Sequence, residues 1–494
     1  MAYDIIFITG EEHFDHPMCG TALLKRLLEK YGYSVAVIVK PKKPAEIKKY
    51  GQPRLFFGIT SGSIDSMMRN YTPLKRKREL DYVPDRADIV YSNWVKQFYK
   101  ESKIVLGGTE ASLRRFVHYD YWDNKLRKPI LFDSRADILT YGNSEKQILS
   151  IAKRIKDGQT LENIPGTSII SHEIPEGFIK LPSYEEVTSS KKRFCDMHVN
   201  LSNWENLAQK IDNRYVLQNK SPNYTSKDLD EYYELPFTRK CPPEMQGFEF
   251  SIITHRGCIG NCNFCSIRLT QGDKIISRSE KSILKEIQRI TKMPHFKGII
   301  DNLAGPSAEM YGMDCHKCSK ECIDCSKLDK SNKPYISILK KAGRVKGVKK
   351  VYIRSGIRFD LATTELIREI AKNHTPGQIR IAPEHVNEKV LKLMNKNRGN
   401  WQEFVKQFNK YNKKAQIAYY FITAHPGSGM NEAKELAKKI KHLKNADDVQ
   451  VFTPSPMTYS TCMYYTSMEP KTKKKVYVPY SYREKKIQKR ILYE

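Results

Sequence analysis

From Phe248 to Phe452 one pattern recurs six times. A short apolar run rich in β-branched residues is followed by a segment whose apolar residues fall at helical spacing. The runs are Phe248–Thr254, Lys297–Asn302, Lys350–Ser355, Gln378–Ala382, Gln416–Thr423 and Asp448–Phe452. Between them, Ile283, Leu284, Ile287 and Ile290 share a helix face. So do Leu366, Ile367 and Ile370; Phe404, Val405, Phe408 and Tyr411; and Leu436, Ala437, Ile440 and Leu443. Ser277 and Glu280 have the spacing of a capping box for the first of these helices. Few folds accept such a chain. Strands that alternate with helices pair in parallel, because each crossover helix must pack back on the sheet. Six units predict a partial (β/α)6 barrel of the TIM type over residues 246–460, with its chemistry at the C-terminal ends of the strands.

An earlier strand–helix series precedes it. Tyr3–Thr9, Ser34–Val39, Arg54–Thr60, Ile104–Gly107 and Ile138–Tyr141 read as strands, and Gly20–Tyr31 as an amphipathic helix. They predict a doubly wound α/β domain over residues 1–171, which in its order of strands resembles Rossmann-like cobalamin-binding domains. Its ligand edge falls near Gly10–His16, Thr60–Ser63 and Gly107–Glu110. Residues 172–245 carry Pro175, Pro182, Pro222, Pro236, Pro242 and Pro243 and read as a connector, with helix near Ser202–Asn213. Residues 461–494 read as a basic C-terminal segment, with nine Lys and Arg between Lys471 and Glu494.

Directly after the first barrel strand comes Thr254-His-Arg-Gly-Cys258-Ile-Gly-Asn-Cys262-Asn-Phe264-Cys265. Thiolates are the usual ligands of iron–sulfur cubanes. Three of them at this spacing hold three irons and leave the fourth open to a ligand, while Gly257 and Gly260 let the backbone curl around the cluster. A zinc site completed by His255 is the alternative, since structural zinc takes four protein ligands. The position of the loop, opening a strand–helix repeat, favours the cluster.

This loop resembles the signature of the radical S-adenosylmethionine superfamily, including the aromatic Phe264 before the third cysteine. The stretches DNLAGPSAEMYG, YIRSGIRFDL, RIAPEHV, AYYFITAHPGSGM and VQVFTPSPMTYSTCMYYT, with DHPMCGTALLKRLLE and GGTEASLRRF near the N-terminus, look like its YgiQ-type members. The resemblance implies a 4Fe–4S cluster on Cys258, Cys262 and Cys265 and S-adenosylmethionine on the open iron. It also implies reductive cleavage to a 5′-deoxyadenosyl radical, with an electron donor such as a flavodoxin or ferredoxin. Strand-end position and resemblance together mark Phe264, Asn302, Gly305, Ser355, Arg358 and Glu384 as cofactor contacts. Arg354 stands beside Ser355, and Arg380 flanks the fourth strand, where ion pairing with Glu384 is the plain alternative. The substrate is not implied.

Four further cysteines, Cys315, Cys318, Cys322 and Cys325, fall within eleven residues and predict a second metal centre, an iron–sulfur cluster or zinc. Cys462 reads as a hydrogen-atom donor, a ligand or a buried filler. A base-off cobalamin loop needs Asp-x-His-x-x-Gly. The chain has Asp15-His16-Pro-Met-Cys-Gly20, so the expectation is against cobalamin.

Eleven cysteines, seven of them crowded between Cys258 and Cys325, with no secretory signal at the N-terminus, predict a cytoplasmic protein with reduced thiols. No apolar run is long enough to span a bilayer. A net charge of +30, from 85 Lys and Arg against 55 Asp and Glu, attracts polyanions. A metal-stabilised RNA-binding protein without catalysis is therefore the alternative function.

Overall fold

The first apolar runs become strands β1 (Ile5–Thr9), β2 (Val35–Val39), β3 (Phe56–Thr60), β4 (Lys103–Leu106) and β5 (Ile138–Thr140) in the computed structural model of the chain. The structure describes residues 2–79, 82–315, 322–443 and 448–493. Ile5, Ile6, Phe7 and Ile8 are all buried, because a parallel sheet covered on both faces leaves neither side of a strand in water. β1 lies between β2 and β3 in parallel register, and β4 and β5 continue the sheet. The strand order reverses at β1, so the loops after β1 and β3 leave a crevice at their C-terminal ends.

The sheet does not stop at residue 171. β6 (Thr167–Ser171), β7 (Ile179–Leu181), β8 (Leu207–Ile211) and β9 (Arg214–Gln218) extend it to nine strands, in the order β2-β1-β3-β4-β5-β6-β9-β8-β7. The expected connector thus gives three strands to this sheet alongside the helices Tyr184–Ser189, Lys191–Asn200 and Ser226–Tyr233, and the helix expected near Ser202–Asn213 is instead a strand and a turn. Asp212, at φ 52°, lies in the two-residue turn that joins β8 to β9, and the two strands pair antiparallel from Leu207–Gln218 to Ile211–Arg214. Two compact units result: Met1–Asn223 with Thr453–Val476, and Tyr224–Phe452 with Tyr477–Glu494.

In the second unit the six expected strands appear, several of them shorter. They are β10 (Ser251–Ile253), β11 (Ile299–Ile300) continuing as β12 (Asn302–Ala304), β13 (Lys350–Val351), β14 (Gln378–Glu384), β15 (Gln416–Thr423) and β16 (Asp448–Val451). β10 pairs with β12, β11 with β13, and β14, β15 and β16 form one parallel set. An isolated bridge from Ile357 to Ile381 joins the third unit to the fourth. The pairing therefore runs through all six units in sequence order. Ile252, Ile300, Leu303, Ile353, Ile381 and Phe421 form the inner core with Ile283, Ile287, Leu366, Phe404, Phe408 and Leu436 from the helices. The first helix is Glu280–Ile290, and its cap is Ser279, which accepts from Ser282 N. Ser277 is held in a short strand instead, paired with His255, so the expected capping box is not formed and a single side-chain cap stands two residues later.

The basic C-terminal segment carries helix in each unit. The helix Tyr459–Thr466 belongs to the first unit and the helix Tyr482–Arg490 to the second. Gln488, fully buried, accepts from Thr423 Oγ1 at 3.0 Å and Ala424 N at 2.9 Å and donates to Ser428 O at 2.9 Å. It braces the end of β15, where Ala424 takes φ 56°. Replacing Gln488 by Ala strands these buried partners and should destabilise the second unit by about 1–3 kcal/mol. Urea unfolding measures this, with amide exchange at Thr423 and Ala424 rising first.

Candidate active site

The cysteine loop begins where β10 ends. His255 and Arg256 pair antiparallel with Ser277 and Ile276, which brings the chain around Lys274 close to the loop. Gly257 takes φ 85°, and a Cβ there would lie 1.8 Å from the Lys274 carbonyl oxygen. No side chain fits. Cys258 N donates to Gly272 O at 3.1 Å, Gly260 N to Cys258 Sγ at 3.4 Å, and Cys265 N to Cys262 O at 3.1 Å. The far side is clamped by the turn after helix Glu388–Leu393. Asn263 donates from N to Met394 O and from Nδ2 to Leu393 O, both at 2.9 Å, and Asn395 Nδ2 reaches Asn261 O at 2.8 Å.

Burial pushes the Cys258 thiol up to about 11 and Cys265 up to about 12, and the charge of Cys262 adds to both. Three neighbouring thiolates in such surroundings call for positive charge. Part of it comes from Arg358, whose Nη1 donates to Cys262 Sγ at 3.3 Å. Among the described residues no three Cys, His, Asp or Glu side chains are placed to hold a single metal ion. A cubane does not require that convergence, since each thiolate takes its own iron. The thiol donor set and the glycine turn fit such a group.

Two buried carboxyls flank the loop. Glu309 accepts from Ser307 Oγ at 2.8 Å and from Arg358 N at 3.2 Å, and burial raises it to about 7. Glu384 closes β14 at φ 68°, a conformation costly for a residue with a side chain. Burial raises it to about 7 as well, against the pull of Lys396 and Arg358. Arg380 is exposed, and Lys396 and Arg358 are the charges that act on Glu384, so the alternative of an Arg380–Glu384 ion pair is not formed.

The other expected residues hold defined places. Phe264 stands edge-on to His425, with ring centroids 6.3 Å apart. Asn302 Nδ2 donates to Ser355 Oγ at 3.0 Å, and its Oδ1 accepts from Arg354 N and Ser355 N, so the two residues tie the second strand end to the third. Arg354 Nε turns back to Asp301 O at 3.1 Å. Gly305 has no room for a Cβ, which would lie 2.5 Å from the buried His255 ring. His255 therefore packs beneath the second strand's loop. Glu309, Asp360, Lys396 and Asn395 escaped the reading of the sequence. Glu309 had a signal, since it follows Gly305 within DNLAGPSAEMYG.

Cys315, Cys322 and Cys325 share one apolar cluster with Ile259, Ile275, Met310 and Met313, and Cys258 packs against it. Lys274 Nζ lies 3.4 Å from Cys322 Sγ. Cys318 lies outside the described residues. Cys462 belongs to the N-terminal unit, where its Sγ lies 3.7 Å from that of the buried Cys195.

Gly257→Ala should bring the iron content of anaerobically reconstituted protein close to background, read by iron and sulfide analysis. A carboxyl raised on folding is most favourable while protonated. Stability conferred on the folded chain by neutral Glu384 is therefore lost as pH rises from about 4.5 to about 7. Glu384→Gln, which cannot ionise, should gain on the parent across that window by up to about 3 kcal/mol and then level off. Denaturant midpoints of the apoprotein at several pH values measure the difference.

The model of the radical SAM N-terminal region matches residues 1–253, and that of the radical SAM superfamily matches 252–440. A UPF0313 protein of Methanocaldococcus jannaschii is 42% identical over 99% of this chain and 89% of its own length. Another from Fusobacterium nucleatum is 38% identical over 99% and 96%. Among solved structures, the radical SAM methyltransferase TsrM of Kitasatospora setae, with cobalamin and a 4Fe–4S cluster bound, aligns with TM-score 0.57 at 13% identity. That match covers 94% of this chain and 79% of TsrM. The cobalamin-dependent radical enzyme OxsB, with aqua-cobalamin bound, gives 0.54 at 14% identity over 94% of this chain and 55% of OxsB. These likenesses are of fold, an N-terminal α/β domain followed by a partial barrel. They overturn the expectation against cobalamin, because the same two-part architecture is occupied by it in both neighbours. A missing histidine motif is no ground for excluding it. Among the described residues no helix is long and apolar enough to cross a membrane. With both models and near full-length relatives in agreement, the chain belongs to the radical S-adenosylmethionine superfamily of enzymes, among the relatives of the UPF0313 proteins.

Proposed function

We propose that the chain holds a 4Fe–4S cluster on Cys258, Cys262 and Cys265 and binds S-adenosylmethionine at the open iron. Held by these three thiolates and reduced by one electron, the cluster would supply reductive cleavage of that cofactor to methionine and a 5′-deoxyadenosyl radical able to take hydrogen from substrate. The observation that carries this reading is the three-thiol loop turned on Gly257 at the end of β10, with the Arg358 guanidinium against one of its sulfurs. Nearby, burial raises Glu309 and Glu384 to about 7, so each is divided between neutral and ionised forms near neutral pH and in its neutral form can donate to a carboxylate or ribose. Asn302 and Ser355, already cross-linked, offer a rigid polar edge. Gly305, packed on the His255 ring, stands at the strand end where the resemblance puts the methionyl amino group, and Phe264 gives an apolar wall.

The quoted sequence stretches support a YgiQ-type member working in the cytoplasm with a flavodoxin- or ferredoxin-like donor. Cys315, Cys318, Cys322 and Cys325 form a second centre, iron–sulfur or zinc. Cobalamin joins the cofactors to assay, on the architecture shared with TsrM and OxsB. A second reading, a metal-stabilised RNA-binding protein, draws on the net charge of +30.

Anaerobic turnover separates the two readings. Reduced, iron-loaded protein should release 5′-deoxyadenosine from S-adenosylmethionine, and replacing Cys258, Cys262 and Cys265 together by Ala should abolish it. A fully loaded protein that releases none would end the enzyme reading. In the triple variant, residual iron identifies a second cluster and residual zinc a structural site. RNA binding that weakens steeply with salt would support the second reading, and salt-insensitive binding would argue against it.

A further inference from the structure

Arg358 is held on three sides. Its Nε and Nη2 donate to Asp360 Oδ1 and Oδ2 at 3.1 and 2.6 Å, a fork matched to a carboxylate that is itself almost fully buried. Its backbone N donates to Glu309, and its Nη1 lies 3.3 Å from Cys262 Sγ. Gly260 leaves the space this requires, because a Cβ there would stand 2.4 Å from Nη1. With 7% of its side chain exposed, the guanidinium is fixed against a sulfur of the loop and excluded from water. It stays charged at any working pH.

We infer that Arg358 sets the reduction potential of the cluster through this contact with Cys262. The assignment rests on the proposed cluster. Hydrogen bonds to ligand sulfur and nearby charge are two of the levers by which a protein tunes an iron–sulfur centre. A donor and a positive charge both favour the state with the extra electron, so the guanidinium raises the potential. It eases electron entry from a weak donor at some cost in reducing power toward the bound cofactor. Asp360 aims the fork, and Gly260 gives it access.

The test is an EPR-monitored redox titration of anaerobically reconstituted parent, Arg358→Gln and Arg358→Lys proteins, with S-adenosylmethionine binding measured in parallel. The midpoint should move to more negative potential in Arg358→Gln, with Arg358→Lys in between, at unchanged iron content. A fully loaded Arg358→Gln protein with the parent's midpoint overturns the inference. Weaker S-adenosylmethionine binding at an unmoved midpoint overturns it too, and makes Arg358 a cofactor contact. If neither variant assembles a cluster, pulsed EPR of parent protein labelled with nitrogen-15 in the arginine guanidinium decides. A nitrogen-15 coupling to the reduced cluster supports the contact, and its absence overturns it. Failure of the parent itself to assemble a cluster overturns the function reading, and this assignment with it.

Discussion

The close approach of Gly257 to the Lys274 carbonyl governs the geometry of the active-site loop. Only a residue without a Cβ can take φ 85° there with a carbonyl oxygen 1.8 Å from where the Cβ would be. That contact fixes the direction in which the chain leaves β10. The turn then carries Cys258, Cys262 and Cys265, and its outer side is locked by Asn263, which donates from its backbone and side-chain amides to Met394 O and Leu393 O, and by Asn395 Nδ2, which donates to Asn261 O. Gly260 opens the inner side to Arg358. The loop is thus shaped by backbone constraints first and by its sulfurs second.

Charge burial supplies the rigidity around it. The second unit hides Arg239, Arg278 and Glu286 as a linked group, with Glu286 held below its ordinary value despite burial by the two guanidinium groups. The N-terminal unit does the same at the ends of its parallel strands. Buried Arg114 pairs with Asp65 at 2.9 Å, while Glu110, after β4, accepts from Ser66 N and Asp88 N. Asp65 also caps the helix Ser66–Asn70 after β3. Removing one partner of such a pair leaves an uncompensated buried charge, so these groups hold their loops in one arrangement. Positive φ at Glu384 and Ala424, where β14 and β15 end, is strain of the kind that surrounding structure must impose.

Much was legible in the sequence. The six barrel units, the first five parallel strands and the place of the cysteine loop follow from periodicity and spacing, which are local properties. What escaped is non-local. Residues 179–218 join the sheet through strands whose apolar residues are mixed with Lys, Gln and Arg, so no apolar run marks them in the sequence. The C-terminal segment reads as basic by composition, yet one neutral residue in it, Gln488, braces a strand end some sixty positions earlier. The cobalamin expectation failed because it tested one motif, whereas the architecture was the more informative quantity.

The sequence by itself determined which elements form, their order, and that three thiols follow the first barrel strand. Hydrophobic periodicity and glycine placement act over a few residues and need no partner. Only the tertiary structure decided which charges meet those thiols. Arg358 lies 96 positions from Cys262 and gains its role from Asp360, Gly260 and the loss of water around them. Desolvation and long-range pairing are set by the packed chain as a whole, and no window of sequence contains them.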